Sequence, residues 1–410
     1  MIQIAILGFG VVGGGITEVL EQNKAAVQRM VHDEIHVKYI LDRLEFPDSP
    51  YGDRVVHDMS VIANDPEVSI VCETMGGVGA AFDFTMQAIR GGKSVVTSNK
   101  ELVAKRGVEI LAAAKEMGVS YLCEASVGGG IPQIRGMRTS LAGDTITAID
   151  GIMNGTTNYI LTRMRQDGAT FEAALKEAQT LGYAEANPSA DVDGLDAQRK
   201  IMILTAIATN MLADEKDVYT ETMTKITPAD MDAAARWGGT VKLLGSSRIK
   251  GDHASLYVCP FFVSASSPLA NIDDVYNGIR FVSPVTADVM YYGRGAGRLP
   301  TAGAVVSDVV AAACGLAQKE LPMDWQKAPE GYVLPFSENI FSYYVRVKTD
   351  AVRETLEKAS LVFGDIKTLS DSPAGYAEFI TPLTVESEAE HAFTGNTFAG
   401  LESRIRIMSA

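Results

Sequence analysis

Over the first third of the chain, apolar residues fall in short blocks separated by polar and glycine-bearing turns. Gln3-Ile4-Ala5-Ile6-Leu7 is a compact apolar run stopped by Gly8, and Ile16, Val19 and Leu20 then recur with helical spacing. Val37 to Leu41, Ser69 to Glu73, Ser94 to Thr97 and Val119 to Leu122 repeat the strand pattern, with a helical stretch over Val108 to Met117. Apolar strands alternating with helices predict βαβ units and a mainly parallel sheet, because such strands are buried on both faces.

From Asp150 to about Arg298 the pattern changes. Helical spacing over Thr170 to Leu181, Ala197 to Leu212 and Pro228 to Gly238 mixes with strand-like runs at Val241 to Leu244 and Ser255 to Val258. That mixture predicts an α+β domain. Pro300 to Gly315 predicts a helix that returns to the first domain, and the prolines at 322, 329 and 335 mark a linker. The remainder reads β-α-β-β-α-β: Ser342 to Val347, Ala351 to Val362, Ile366 to Leu369, Tyr376 to Thr381, a weak helix near Glu386, and Ser403 to Met408. No internal repeat is visible.

Composition narrows the function classes. A chain of 410 residues exceeds one ordinary core, and 47% hydrophobic with 21% charged residues is a folding composition. The formal charge of −15 argues against nucleic acid as a partner, since no basic surplus exists to displace counterions. The most apolar run, Ile201 to Leu212, is about half the length of a bilayer span, so no membrane attachment is expected. Cys72, Cys123, Cys259 and Cys314 lack metal-ligand or disulfide spacing, and Met1 to Leu7 carries no basic leader. A reduced, cytoplasmic setting is expected.

Two segments carry chemistry. Gly8-Phe9-Gly10-Val11-Val12-Gly13 is a G-x-G-x-x-G between a strand and a helix, where glycines let backbone N–H groups approach a pyrophosphate. At the end of the second strand an acid would hold a ribose 2′-hydroxyl, and an arginine would accept a 2′-phosphate. Asp42-Arg43 offers both, so NAD and NADP both stay open. The second segment runs from Ala178 to Lys200. Its loop holds Glu185, Asp191, Asp193 and Asp196, and Lys200 stands four residues beyond Asp196 on one helical face. Helix rules alone also accommodate Asp193 as an N-cap and Asp196–Lys200 as a surface ion pair. The apolar Ile201-Met202-Ile203-Leu204 that follows predicts a buried helix, where such charges are expensive unless used.

The segment Ala178 to Lys200 resembles the signature of homoserine dehydrogenases: A-x3-G-aromatic, then N-P-x2-D-V-x-G-x-D-x3-K. Glu73 to Gly77, Thr97 to Lys100, Glu124 to Pro132, Asn154 to Tyr159 and Gly293 to Thr301 resemble further segments of that family, in its order, over about the first 320 residues. The resemblance implies an N-terminal Rossmann domain over 1–132 (with 300–320 returning to it), an α+β substrate and dimerisation domain over 133–299, and a small ACT-like α+β domain over 336–410. It implies NAD(P)-dependent interconversion of L-aspartate 4-semialdehyde and L-homoserine, and a homodimer or homotetramer.

Residue by residue, the resemblance makes Lys200 the proton donor to the substrate oxygen, with Asp196 beside it. Lys100 would lie near the nicotinamide, the reacting carbonyl and the bound substrate. Glu185 and Asp191 would hold the amino-acid end of the substrate. Gly8, Phe9, Gly10, Val11, Val12, Gly13, Arg43, Lys100 and Gly297 would meet the cofactor, and Glu124, Val127, Gly129 and Ile131 would offer oxygens to a structural sodium ion. Read without the family, Glu124 to Pro132 is a glycine-rich hinge, Asn154 to Tyr159 a strand end and turn, and Gly293 to Gly297 a flexible loop. The tail departs from the family: Val347-Lys348-Thr349-Asp350-Ala351-Val352 replaces the usual D-x-P-G-V turn, so a tail that binds no amino acid is expected. A related dehydrogenase for another semialdehyde would share the glycine turn and lysines but not the Asn187-to-Lys200 pattern. A nucleotide sensor without chemistry has no use for Lys100, Asp196 and Lys200 together. With the nucleotide fold opening at residue 2, a monofunctional enzyme is expected.

Overall fold

Six strands, Ile2–Leu7, Ile35–Leu41, Val55–Val56, Val68–Glu73, Ser94–Thr97 and Tyr121–Leu122, make one parallel sheet in the computed structural model, which describes residues 1–315, 323–395 and 397–408. In space they lie third, second, first, fourth, fifth, sixth. The order reverses beside the first strand, and this doubly wound Rossmann arrangement opens a ligand crevice at the carboxyl ends of the strands there. Ile4, Ile6, Ile40, Ile70, Cys72 and Val96 fill its core. The helix Arg298–Ala313 adds Ala302, Val305 and Val309 to the same core.

These parts belong to one compact unit, Met1–Ile146, Arg199–Asp214 and Val282–Pro329. The other unit is Thr147–Gln198, Glu215–Phe281 and the chain from Glu330 onward, so the tail shares a unit with the central region. Its antiparallel hairpin Gly239–Lys250 and His253–Ser264 pairs with Ala148–Ile152 on one side. On the other side, His253–Ser264 pairs in parallel with Leu401–Ile407 through Phe261 and Phe262. The tail follows the predicted order, Ile340–Lys348, Val352–Phe363, Lys367–Thr368, Tyr376–Ile380, Glu386–Thr394 and Leu401–Ile407, with one unpredicted two-residue strand, Thr384–Val385, paired to Ile340–Lys348. One aromatic core, including Tyr257, Phe341, Tyr343, Phe379 and Phe393, spans both sheet halves. Among the described residues no helix is long and apolar enough to cross a membrane.

Three expectations need correction. The helix anticipated from Val108 begins at Lys100. Polar Lys105 and Arg106 break the apolar spacing, and Gly107 is there because a Cβ would stand 2.8 Å from the Trp325 ring. The helix anticipated to Leu212 ends at Thr209, where Asn210 takes a left-handed φ of 58° and Met211–Leu212 turns into a strand paired with Gln326–Lys327. The proline-marked linker therefore holds a short strand and a buried Trp325; Pro322, like 316–320 of the returning segment, lies outside the described residues.

Candidate functional site

The glycine turn sits where the sheet order reverses. Gly10 caps the helix Val11–Gln22 without a side-chain hydrogen bond, which leaves the first helical N–H groups to an anion. Asp42 holds the turn from behind: one carboxylate oxygen accepts the Phe9 N–H at 2.7 Å and the other the Leu44 N–H at 3.1 Å. Its neighbour Arg43 is exposed.

Beside the turn, Glu73 ends the fourth strand fully buried. Its carboxylate accepts from Thr97 Oγ1 at 2.6 Å and the Met75 N–H at 2.8 Å. Burial pushes its pKa up to about 7, against the pull of those donors. Thr97 in turn accepts the Asn99 N–H, and Asn99 Oδ1 accepts the Leu102 N–H, capping the helix that Lys100 opens. A chain of buried bonds thus aims Lys100 from the carboxyl edge of the sheet. Glu101, the next residue, pairs with Arg199 at 3.2 Å, so the helix start at Lys100 lies against the helix that carries Lys200.

Lys200 belongs to the helix Leu195–Thr209 and is 7% exposed, as is Asp196 one turn before it; the buried helix predicted from the sequence is there. Gly194, with φ 80°, rather than Asp193, accepts the first helical bond, because Asp193 instead closes the short helix Ser189–Val192. The segment read as a strand end and turn, Asn154 to Tyr159, is the cap and first turn of a helix, Gly155–Asp167. Asn154 Oδ1 accepts the Thr157 N–H, while Asn154 Nδ2 donates to Asp191 at 2.7 Å and to Asp196 at 2.8 Å. Glu185 is exposed on the following loop, and its carbonyl accepts from Gln179.

One turn along, Asn158 Nδ2 donates to the carbonyls of Ile272, Asp274 and Tyr276, and its Oδ1 accepts from Lys242 at 3.1 Å. Lys242 is fully buried and also bonds the Ile272 carbonyl and Asp273. Burial pulls its pKa from 10.5 down to about 8, opposed by Asp273 and Asp274 and aided by Arg165. The unfolded chain therefore holds this proton to higher pH, and the residue's contribution to stability rises from about pH 8 to 10.5. Subtracting the unfolding free energies of Lys242→Met from those of the parent should give a difference that grows across that window. A pH-independent difference would refute it.

Of the main-chain oxygens along the turn from Glu124 to Ile131, those of Glu124 and Ile131 already accept the Val127 N–H at 3.4 Å and the Gln133 N–H at 2.9 Å. Val127 and Gly129 are buried, and among the described residues nothing donates a hydrogen bond to either carbonyl. Gln133, also buried, leaves both polar atoms of its amide without a partner. The Glu124 carboxylate does not face this turn's carbonyls as a free ligand: it accepts the N–H groups of Ile134 at 2.8 Å and Arg135 at 2.7 Å. Burial and the nearby Asp308 push its pKa up to about 7. Gly297 caps the return helix with φ 123°, and Gly293 and Arg294 end a strand instead of forming a loop.

Asn154, Asn99, Glu73 and Lys242 escape a residue-by-residue reading of the sequence. Asn99 carries a signal, an N-cap residue followed by an acid in the first turn. Asn154 also carries an N-cap signal, through Thr157 three residues on, but its two acids lie 37 and 42 residues away, and Lys242, whose partners lie 30 to 84 residues away, carries none.

The chain is similar in sequence and in overall fold to known proteins. A family model described as homoserine dehydrogenase matches residues 132–310, and one described as the homoserine dehydrogenase NAD-binding domain matches 8–124. A homoserine dehydrogenase from Synechocystis sp. is 42% identical over 315 residues, 75% of this chain and 72% of that protein. The crystal structure of a homoserine dehydrogenase from Thiobacillus denitrificans superposes with a TM-score of 0.90 at 34% identity, covering 100% of this chain and 98% of that one. A hyperthermophilic archaeal homoserine dehydrogenase in complex with NADPH gives 0.66 at 26% identity, over 77% and 98% of the two chains.

Proposed function

The chain belongs to the homoserine dehydrogenase family, and from that premise we propose how its residues divide the work. It is a nicotinamide-dependent oxidoreductase that interconverts L-aspartate 4-semialdehyde and L-homoserine, a step of amino-acid biosynthesis. In our reading the dinucleotide lies along Gly8 to Gly13, with Gly297 and Lys100 beside it, and when bound it supplies or takes the hydride. Lys200 gives a proton to the substrate oxygen during reduction and receives it during oxidation. Asp196 orients Lys200, Lys100 steers the carbonyl, and Glu185 with Asp191 holds the substrate ammonium. What carries this reading is the burial of Asp196 and Lys200 one turn apart, on a helix tied to the start of Lys100's helix by Glu101–Arg199. Main-chain oxygens of Glu124, Val127, Gly129 and Ile131 would hold a sodium ion that stiffens the turn and takes no part in proton movement. The setting proposed is cytoplasmic, with a homodimer or homotetramer that sedimentation would reveal.

The carboxylate of Asp42 is committed to two backbone amides, whereas Arg43 is exposed at the same strand end. That arrangement favours NADP. With homoserine and either cofactor, absorbance of the reduced nicotinamide should rise faster with NADP. Arg43→Ala should cut kcat/KM for NADP by about tenfold or more, the value of a charge-assisted contact to phosphate, and leave NAD almost untouched. Equal losses with both cofactors would refute the assignment. Added threonine should leave the rate unchanged if the ACT-like tail binds no amino acid, and inhibition would overturn that part.

A further inference from the structure

Asp191 and Asp196 come from different helices, and their shared partner lies 37 and 42 residues away in sequence, yet one amide joins them. We propose that Asn154 is the positioning residue that sets these two carboxylates for an amino-acid substrate; the inference rests on the roles given to them above. Every polar atom of the Asn154 side chain is used. Its oxygen caps the helix Gly155–Asp167 through the Thr157 N–H, and its nitrogen gives a hydrogen to each acid. The amide therefore has one orientation, since a flip would turn its oxygen on two carboxylates and its N–H groups on a backbone donor. The helix it caps is itself pinned by Asn158 and Lys242, so the clamp has a fixed base.

The choice of an amide has a chemical reason. Two neighbouring acids need a donor between them, and a lysine or arginine would provide one. A cation there would also cancel the negative charge that draws an ammonium group. A neutral bridge sets the geometry without adding a positive charge of its own. The ligand class this favours is a small molecule with a free α-ammonium, and the carboxylates it orients serve two jobs: one at the ammonium, one at Lys200.

The test separates clamping from capping. Asn154→Ser and Asn154→Asp both keep an N-cap acceptor; the serine variant should melt near the parent, and the aspartate variant earlier, because it sets a third carboxylate against two. Serine offers one donor in place of two, and aspartate offers none while ionised. We expect kcat/KM for homoserine to fall about tenfold in Asn154→Ser and about a hundredfold in Asn154→Asp, the scale of lost hydrogen bonds to ionised groups, with NADPH affinity unchanged. Asn154→Asp should recover towards the parent as pH falls, because the carboxyl introduced there donates again once protonated. In the double variant with Asp191→Asn, the losses should be less than additive. Parental kinetics in both Asn154 variants would reduce the residue to a helix cap and overturn the proposal. Where a variant melts early, the cycle with Asp191→Asn still decides, since additive losses would also overturn it. If Asp191→Asn alone leaves the KM for homoserine unchanged, the role of Asp191 falls instead, which is a different failure.

Discussion

Lys200→Ala should lower kcat for homoserine by about a thousandfold while NADPH binds as tightly as before; positioned proton transfer contributes roughly 10²–10⁴ in rate. Lys200 follows Asp196 by one turn in a buried helix. A loss confined to turnover is thus what proton transfer requires, and fluorescence titration of NADPH against stopped-flow turnover would separate the two. Oxidation must begin with a neutral amine, so the parent should turn over homoserine faster as pH rises, and the variant should lose that slope. Lys200→Arg keeps the charge but not the readily lost proton, and should be nearly as slow in oxidation as the alanine variant. Some melting loss is expected in Lys200→Ala, because Asp196 stays 7% exposed beside a missing cation. Weakened cofactor affinity with intact turnover would reverse the assignments of Lys200 and Lys100.

How much of this is legible in the sequence depends on the range of the interaction. Five of the six parallel strands and most of the tail's order follow from local apolar runs, since strands buried on both faces declare themselves residue by residue, whereas the two-residue, half-buried Val55–Val56 is too short to do so. The glycine turn and the Asp196–Lys200 spacing are equally local. The helix from Lys100 starts earlier than its pattern suggests because Gly107 looks like a breaker until Trp325, more than two hundred positions on, supplies its reason. The distant partners of Asn154 and Lys242 are invisible for a related cause: a buried amide or lysine reads as polar surface until its distant carboxylates and carbonyls are in place. The backbone oxygens of Val127 and Gly129 have no side-chain signature at all.

Gly10→Ala and Gly13→Ala should fail in different ways, and the difference tests whether the turn is shaped by the fold or by its ligand. At Gly13 an added Cβ would stand 2.0 Å from the Gly8 carbonyl oxygen, a backbone atom that no rotamer change can move. The turn would have to open, at a cost of about 1–3 kcal/mol for an overpacked site, so Gly13→Ala should melt early and bind no measurable NADPH. At Gly10 the same methyl would meet nothing within 4 Å. The apoprotein should therefore melt as the parent does. The space beside Gly10 lies at the uncapped end of the helix Val11–Gln22, where the pyrophosphate is expected to approach most closely. Gly10→Ala should accordingly weaken NADPH by about a hundredfold through steric exclusion and the lost close approach of the N–H groups. A stable Gly10→Ala protein that still binds NADPH like the parent would mean that the dinucleotide does not lie over this turn. That result would detach the cofactor from Gly8 to Gly13 while leaving the carboxylates and lysines of the substrate end where they are.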